Sequence, residues 1–203
     1  QRMRPLTDDR PKPMVDIHNR PMIAYALDQL AAHGIKRCVI NTHYKADVLH
    51  DYLARGDWPF EVIISHEPVL LDTGGGLKKG LQYLDTTQPV IVLSGDSVMV
   101  DAPHIRSLAA RQAALNDARM DLLLSLQPLE SMHLTPAVGD YTLVNGTPKR
   151  TPDHSGAYMW NSARILHPRL FAGTPDTPFS FLDLMDRAER NGRLAAVIHH
   201  GVW

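Results

Sequence analysis

Val90-Ile91-Val92-Leu93-Ser94-Gly95-Asp96-Ser97 decides the fold. Its apolar half shows no alternation of polar and apolar positions, so it reads as a strand over 90–94 covered on both faces, the habit of a parallel sheet. Residues 37–42, 61–65 and 121–126 have the same character. Between these runs lie helical patterns. The segment 21–33 opens on Pro21, stops at Gly34 and repeats Met22, Ile23, Ala26, Leu27 and Leu30 at helical spacing. Shorter helices are expected over 47–54 and 77–84, and another over 103–115, again from a proline. Alternation of strand and helix at this spacing implies an α/β fold with a mostly parallel sheet.

Beyond Arg119 the pattern loosens. Residues 127–153 are turn-rich, with a hairpin expected at Asn145-Gly146. A strand over 157–161, a helix over 181–191 stopped by Gly192 and a last strand over 194–199 follow. No repeat or long linker divides the chain, so a single domain over 1–203 is expected. Its first residue is Gln1, inside loop-like sequence, and its last is Trp203; segments beyond both ends are expected.

The formal net charge of −1 argues against a nucleic-acid-binding domain, which would be strongly basic. No run is long and apolar enough for a membrane span, and no secretory signal is expected. Cys38 is the sole cysteine, so an intrachain disulfide is impossible. Within Arg37-Cys38-Val39-Ile40 it reads as an inert buried thiol. The compartment expected is the cytoplasm.

In an open parallel sheet, ligands bind beyond the carboxyl ends of the strands. Asp96 would project there, behind the open approach left by Gly95. One hard carboxylate oxygen suits Mg²⁺ shared with substrate phosphates; a local turn or helix cap would also use an aspartate here. Leu71-Asp72-Thr73-Gly74-Gly75-Gly76-Leu77-Lys78-Lys79 follows another strand. Glycines at a helix entrance let backbone approach a ligand and leave N–H groups to donate to a phosphate, ribose or base edge. A surface turn capped by Asp72 or Thr73 is the alternative. The spacing matches neither a P-loop nor a dinucleotide fingerprint. The opening, 1–13, combines Arg2, Arg4, Arg10 and Lys12 with Pro5, Pro11 and Pro13. It reads as a stiff loop presenting Arg2, Arg4 and Lys12 to an anion such as a polyphosphate, against the plainer reading of a solvated basic surface.

Taken in order, Arg2-Met3-Arg4-Pro5-Leu6-Thr7 with Pro11-Lys12-Pro13, then Thr73-Gly74-Gly75-Gly76, then Ser94-Gly95-Asp96 resemble the sugar-1-phosphate nucleotidyltransferase family over essentially the whole chain. The compact length, Leu71-Asp72-Thr73-Gly74-Gly75-Gly76 and Ile165-Leu166-His167-Pro168-Arg169-Leu170-Phe171 bring the resemblance nearest its small uridylyltransferases, with guanylyl- and thymidylyltransferases as alternatives. The resemblance implies a three-layer α/β/α, Rossmann-like (GT-A-like) fold. It implies UTP and N-acetylmuramic acid 1-phosphate as substrates, in cell-wall recycling, with Mg²⁺ as cofactor. Arg2 would lie against the triphosphate, Lys12 would bridge the phosphates of the two substrates, and Thr73, Gly74 and Gly75 would serve the nucleotide. Asp96 would hold the metal. The family's second metal carboxylate, a few residues after a late tryptophan, would fall after Trp203, and its usual Glu-Lys-Pro is replaced by Pro148-Lys149-Arg150. The histidines, His43, His199 and His200 among them, then have no catalytic duty. A glycosyltransferase would usually carry an Asp-x-Asp motif, where this chain has Ser94-Gly95-Asp96-Ser97. A non-catalytic nucleotide-sugar sensor has little use for a metal carboxylate.

Overall fold

The computed structural model describes residues 3–99, 119–132 and 138–203; the helix expected over 103–115 lies outside them. The chain forms two compact units. The first comprises Gln1–Asp85, Ser94–Val98 and Pro175–Ser180; the second comprises Thr86–Leu93, Met99–Thr174 and Phe181–Trp203.

The first unit starts from the basic loop, which ends in a 3₁₀ turn, Lys12–Met14. The short strands β1 (Asp16–Ile17) and β2 (Arg20–Pro21) pair antiparallel, joined by His18 and Asn19 at φ 50° and 61°. Helix α1 (Met22–Ala32) buries Met22, Ile23, Ala24, Ala26 and Leu27. It ends as its sequence implies: Gly34 takes φ 67°, its N–H bonds to Ala31 O and the Ile35 N–H to Leu30 O, the double closure that satisfies the last carbonyls. Strand β3 (Arg37–Thr42), helix α2 (Ala46–Arg55) and strand β4 (Glu61–His66) follow. β3 and β4 are parallel, with Arg37 opposite Glu61 and Thr42 opposite His66. Met14, Ile23, Leu27, Ile40, Leu49, Leu53 and Phe60 form the core of this unit, with Cys38 packed against it. Burial pushes the Cys38 thiol up to about 11, which agrees with an inert role.

Helix α3 spans Asp72–Leu81, not 77–84. Glycine is a poor helix former, but here tertiary partners cap the first turn. Phe179 O accepts from both Gly74 N–H (2.9 Å) and Gly75 N–H (3.3 Å), while Thr73 N–H donates to its neighbour Asp72 Oδ1 at 2.6 Å. These are the donors a helix start leaves unsatisfied.

In the second unit, β5 (Val90–Val92), β6 (Leu122–Pro128), β7 (Tyr141–Val144), β8 (Thr147–Arg150), β9 (Tyr158–Leu166) and β10 (Leu194–Ile198) build one sheet in the order β10-β6-β9-β7-β8, with β5 also on β9. The sheet is mixed: β10 runs parallel to β6, while β9 is antiparallel to β5, β6 and β7. β9 is longer than expected because both its edges are used. Leu166 faces Leu122 of β6 and Val90 of β5. Leu122, Leu123, Leu124 and Leu126 are fully buried, as an unalternating apolar strand requires. The Asn145-Gly146 hairpin is present between β7 and β8, with both residues at positive φ, the turn that matches strand twist. Helix α4 (Phe181–Arg190) buries Phe181, Leu184, Met185 and Ala188 at helical spacing and precedes Gly192 at φ 65°. Asp121 ties the starts of β6 and β10 together. It takes Arg193 Nε on Oδ2 at 2.5 Å and Arg169 Nε on Oδ1 at 2.5 Å.

Candidate active site

Lys12 and Asp96 meet in the first unit. Pro11 and Pro13 flank Lys12, and the 3₁₀ turn closes through Met14 N–H to Pro11 O (2.8 Å) and Val15 N–H to Lys12 O (3.0 Å). Met14 is buried in the core beside Ile23 and Ile40, so the turn is anchored from below while the Lys12 ammonium stays half-exposed. The Asp96 turn lies on the same anchor: a Cβ on Gly95 would stand 3.5 Å from Pro13 and 3.6 Å from Ile23. Lys12 Nζ is 2.7 Å from Asp96 Oδ2, and the Ser94 hydroxyl donates to Asp96 Oδ1. Burial by itself would raise the Asp96 carboxyl. The hydrogen bonds from Lys12 and Ser94 outweigh it and hold the group below the ordinary carboxylate range.

The other cations of the loop stand differently. Arg4 pairs with Asp8 at 3.1 Å, and Arg10 with Asp9 at 3.0 Å and Asp16 at 3.8 Å. Tyr44 Oη donates to Thr7 O at 3.0 Å, pinning the loop to the segment after β3. Arg2 lies outside the described residues. His43 and His200 are exposed and His199 is buried.

The glycine run is placed otherwise than its sequence suggested. Gly74, Gly75 and Gly76 are buried within α3, and the N–H groups of Gly74 and Gly75, expected to serve a ligand, are spent on Phe179 O. The glycines serve close packing. A Cβ on Gly74 would meet the Phe179 ring at 2.4 Å, and one on Gly76 would meet Glu67 Oε1 at 2.6 Å. Asp72 and Thr73 are the exposed positions of the helix entrance. A groove of about 350 Å³ beside it is lined by Gly75, Lys78, Lys79 and Gln82. Its lysines are engaged, Lys78 by Asp176 at 2.6 Å and Lys79 by His66 O.

Two residues were not singled out in the sequence. Glu67, 5% exposed, accepts from Asn41 Nδ2 (2.8 Å) on Oε1 and from Leu71 N–H (3.0 Å) on Oε2; Asn41 Nδ2 also donates to Gly76 O at 2.7 Å. A signal existed. Asn41 interrupts an apolar strand, and Glu67 follows the end of another. β3 links both halves of the site, since Ile40 packs in the core with Met14 and the next residue, Asn41, reaches α3.

A divalent cation finds one suitable ligand in this set. Asp96 is an oxygen donor held in its ionised form, and a carboxylate has acceptor sites beyond those used by Lys12 and Ser94. Among the described residues no three His, Cys, Asp or Glu side chains gather as a metal cage, so substrate oxygens and water would complete the shell.

Residues 1–128 match the sequence profile of the family described as Nucleotidyl transferase, and the chain belongs to that family. Its full length is 34% identical to N-acetylmuramate alpha-1-phosphate uridylyltransferase of Caulobacter vibrioides, covering 85% of that protein. It is 28% identical to the enzyme of the same name from Neisseria meningitidis serogroup B, covering 87%. Among solved structures, HddC from Yersinia pseudotuberculosis complexed with GMP-PN superposes with a TM-score of 0.75 at 23% identity, over 98% of this chain and 86% of that one. UDP-glucose pyrophosphorylase complexed with UDP-glucose gives 0.73 at 15% identity, over 99% and 87%. These structures establish the Rossmann-like nucleotidyltransferase fold. The chain is a nucleotidyltransferase. Among the described residues, no helix is long and apolar enough to cross a membrane.

Proposed function

We propose that the chain joins UTP to N-acetylmuramic acid 1-phosphate, giving UDP-N-acetylmuramic acid and pyrophosphate, in the cytoplasm as part of peptidoglycan recycling. The observation that carries the reading is the Lys12–Asp96 pair at 2.7 Å in a chain whose full-length relatives bear that enzyme's name.

The sugar phosphate oxygen attacks the α-phosphorus of the triphosphate, and the bond from that phosphorus to the β-bridging oxygen breaks. The attacking group is already ionised near neutral pH, because the second phosphate pKa is about 6, so no general base is required. The energetic cost is in bringing two polyanions together and stabilising the charge that moves to the leaving pyrophosphate. Lys12, held on an anchored turn, exchanges its Asp96 partner for phosphate oxygen as the substrates enter. Asp96 would be the residue of this set that holds Mg²⁺. The metal, when bound, supplies charge neutralisation at the phosphates. Arg2, outside the described residues, would serve the triphosphate, as the resemblance implies. Thr73 lies at the nucleoside end, on a helix entrance that Gly74 and Gly75 bring close to its neighbours.

The test is a panel of UTP, GTP and dTTP crossed with the 1-phosphates of N-acetylmuramic acid, mannose and glucose, read as pyrophosphate with and without Mg²⁺. Release strongest for UTP with N-acetylmuramic acid 1-phosphate, and only with metal, is expected. A preference for GTP with mannose 1-phosphate, or nucleotide binding without any release, would overturn the reading.

A further inference from the structure

Glu67 occupies an unusual position for a charged side chain. Residues of this type are almost never fully buried unless paired, yet Glu67 is 5% exposed and its two carboxylate oxygens accept from neutral donors on different elements. Oε1 takes Asn41 Nδ2 of β3 at 2.8 Å and Oε2 takes the backbone N–H of Leu71 at 3.0 Å. The backbone of Glu67 is fixed as well: its N–H donates to Thr42 O at 2.8 Å and its carbonyl lies 2.7 Å from His43 Nδ1. Its neighbour on the helix is Gly76, whose missing side chain leaves the space Oε1 fills. Asn41 completes the triangle by donating to Gly76 O at 2.7 Å.

Leu71 immediately precedes α3, and its carbonyl accepts from Phe179 N–H at 3.3 Å. The carboxylate therefore sets where the helix begins and how its entrance, with Asp72 and Thr73 exposed, stands at the carboxyl ends of β3 and β4. A carboxylate suits this task because it only accepts. An amide in its place would turn an NH₂ toward either the Leu71 N–H or the Asn41 Nδ2, two donors facing each other, whichever way it rotated.

We propose that Glu67 is a positioning residue for the nucleoside end of the site, acting through Leu71 and Asn41 on the entrance of α3. This rests on the reading of that entrance as the nucleoside end.

Glu67→Gln tests it with two readouts. The first needs no substrate. Amide hydrogen exchange at Leu71, Gly74 and Gly75 should quicken about tenfold or more, the scale of one buried hydrogen bond lost, while amides of α1 keep their protection. The second is steady-state kinetics: KM for UTP should rise about tenfold with kcat and KM for the sugar 1-phosphate within about twofold. Gly76→Ala, which drives a methyl into Oε1, should reproduce both effects, and Glu67→Asp, which keeps both acceptors, should retain more UTP affinity than Glu67→Gln. Unchanged exchange at the entrance overturns the positioning role itself. Quickened exchange with an unmoved KM for UTP overturns the link to the nucleoside. If UTP is not a substrate of the unaltered protein, the functional reading fails first, and the exchange experiment still decides whether Glu67 sets the entrance.

Discussion

Lys12 Nζ stands 2.7 Å from Asp96 Oδ2, so the basic loop and the strand-end carboxylate form one electrostatic unit. A preorganised donor of this kind is worth about 10²–10³ in turnover when removed from the charge it stabilises. Lys12→Ala should lower kcat for pyrophosphate release by at least about a hundredfold. The pair is partly solvated, and exposed ion pairs contribute about 0–1 kcal/mol to stability, so the thermal transition should barely move. Near-normal turnover would remove Lys12 from the reaction.

Asp96→Asn keeps the shape of the turn but removes the charge that a divalent ion needs. The concentration of Mg²⁺ giving half-maximal rate should rise by at least about tenfold, no less than the loss of a mere outer-shell partner of a ligand costs. Titration of the metal in the pyrophosphate assay checks it; an unaltered metal dependence would place the ion elsewhere.

Asp121 predicts a pH effect on the stability of the second unit. Burial would raise its carboxyl, but hydrogen bonds from Arg193 and then Arg169 hold it below the ordinary range. A carboxyl that titrates lower in the folded state adds stability above its unfolded pKa, near 3.9, and loses it as pH falls through the folded value. Urea unfolding should show Asp121→Asn less stable than the unaltered chain at pH 7, with the gap closing as pH drops below about 4. A gap independent of pH would show that the two arginines contribute little through charge.

Gly74→Ala should destabilise the first unit by about 1–3 kcal/mol, the usual cost of overpacking, despite the better helix propensity of alanine. The new methyl would meet the Phe179 ring at 2.4 Å and its carbonyl at 2.8 Å. Removing the ring in Phe179→Ala should make the two changes clearly non-additive, which a double-mutant cycle on urea midpoints measures.

Cys38, with its thiol pushed up to about 11 by burial, should react with iodoacetamide at pH 8 far more slowly in the folded chain than in urea. Equal rates in both states would mean that the core around Ile40 opens readily.

The local order of this protein is legible in its sequence because it depends on neighbours along the chain. The stop of α1 at Gly34 and the turn at Asn145-Gly146 need positive φ, which glycine and asparagine accept at little cost. The unalternating runs of β3, β4 and β6 announced strands, and β6 has almost no solvent on either face, while β3 and β4 are largely half-buried. Asp96 was visible as the one carboxylate where such a run meets small residues. What tertiary structure decided was how distant pieces satisfy one another. Nothing near Lys12 in the sequence names Asp96 as its partner. Helix α3 could begin at Asp72, through three buried glycines, only because the carbonyl of Phe179 receives the N–H groups of Gly74 and Gly75. The value of Glu67 emerges only when β3 brings Asn41 beside it. Propensity is summed along a short window, whereas unsatisfied donors and buried charges are settled by whatever the fold sets within three ångströms.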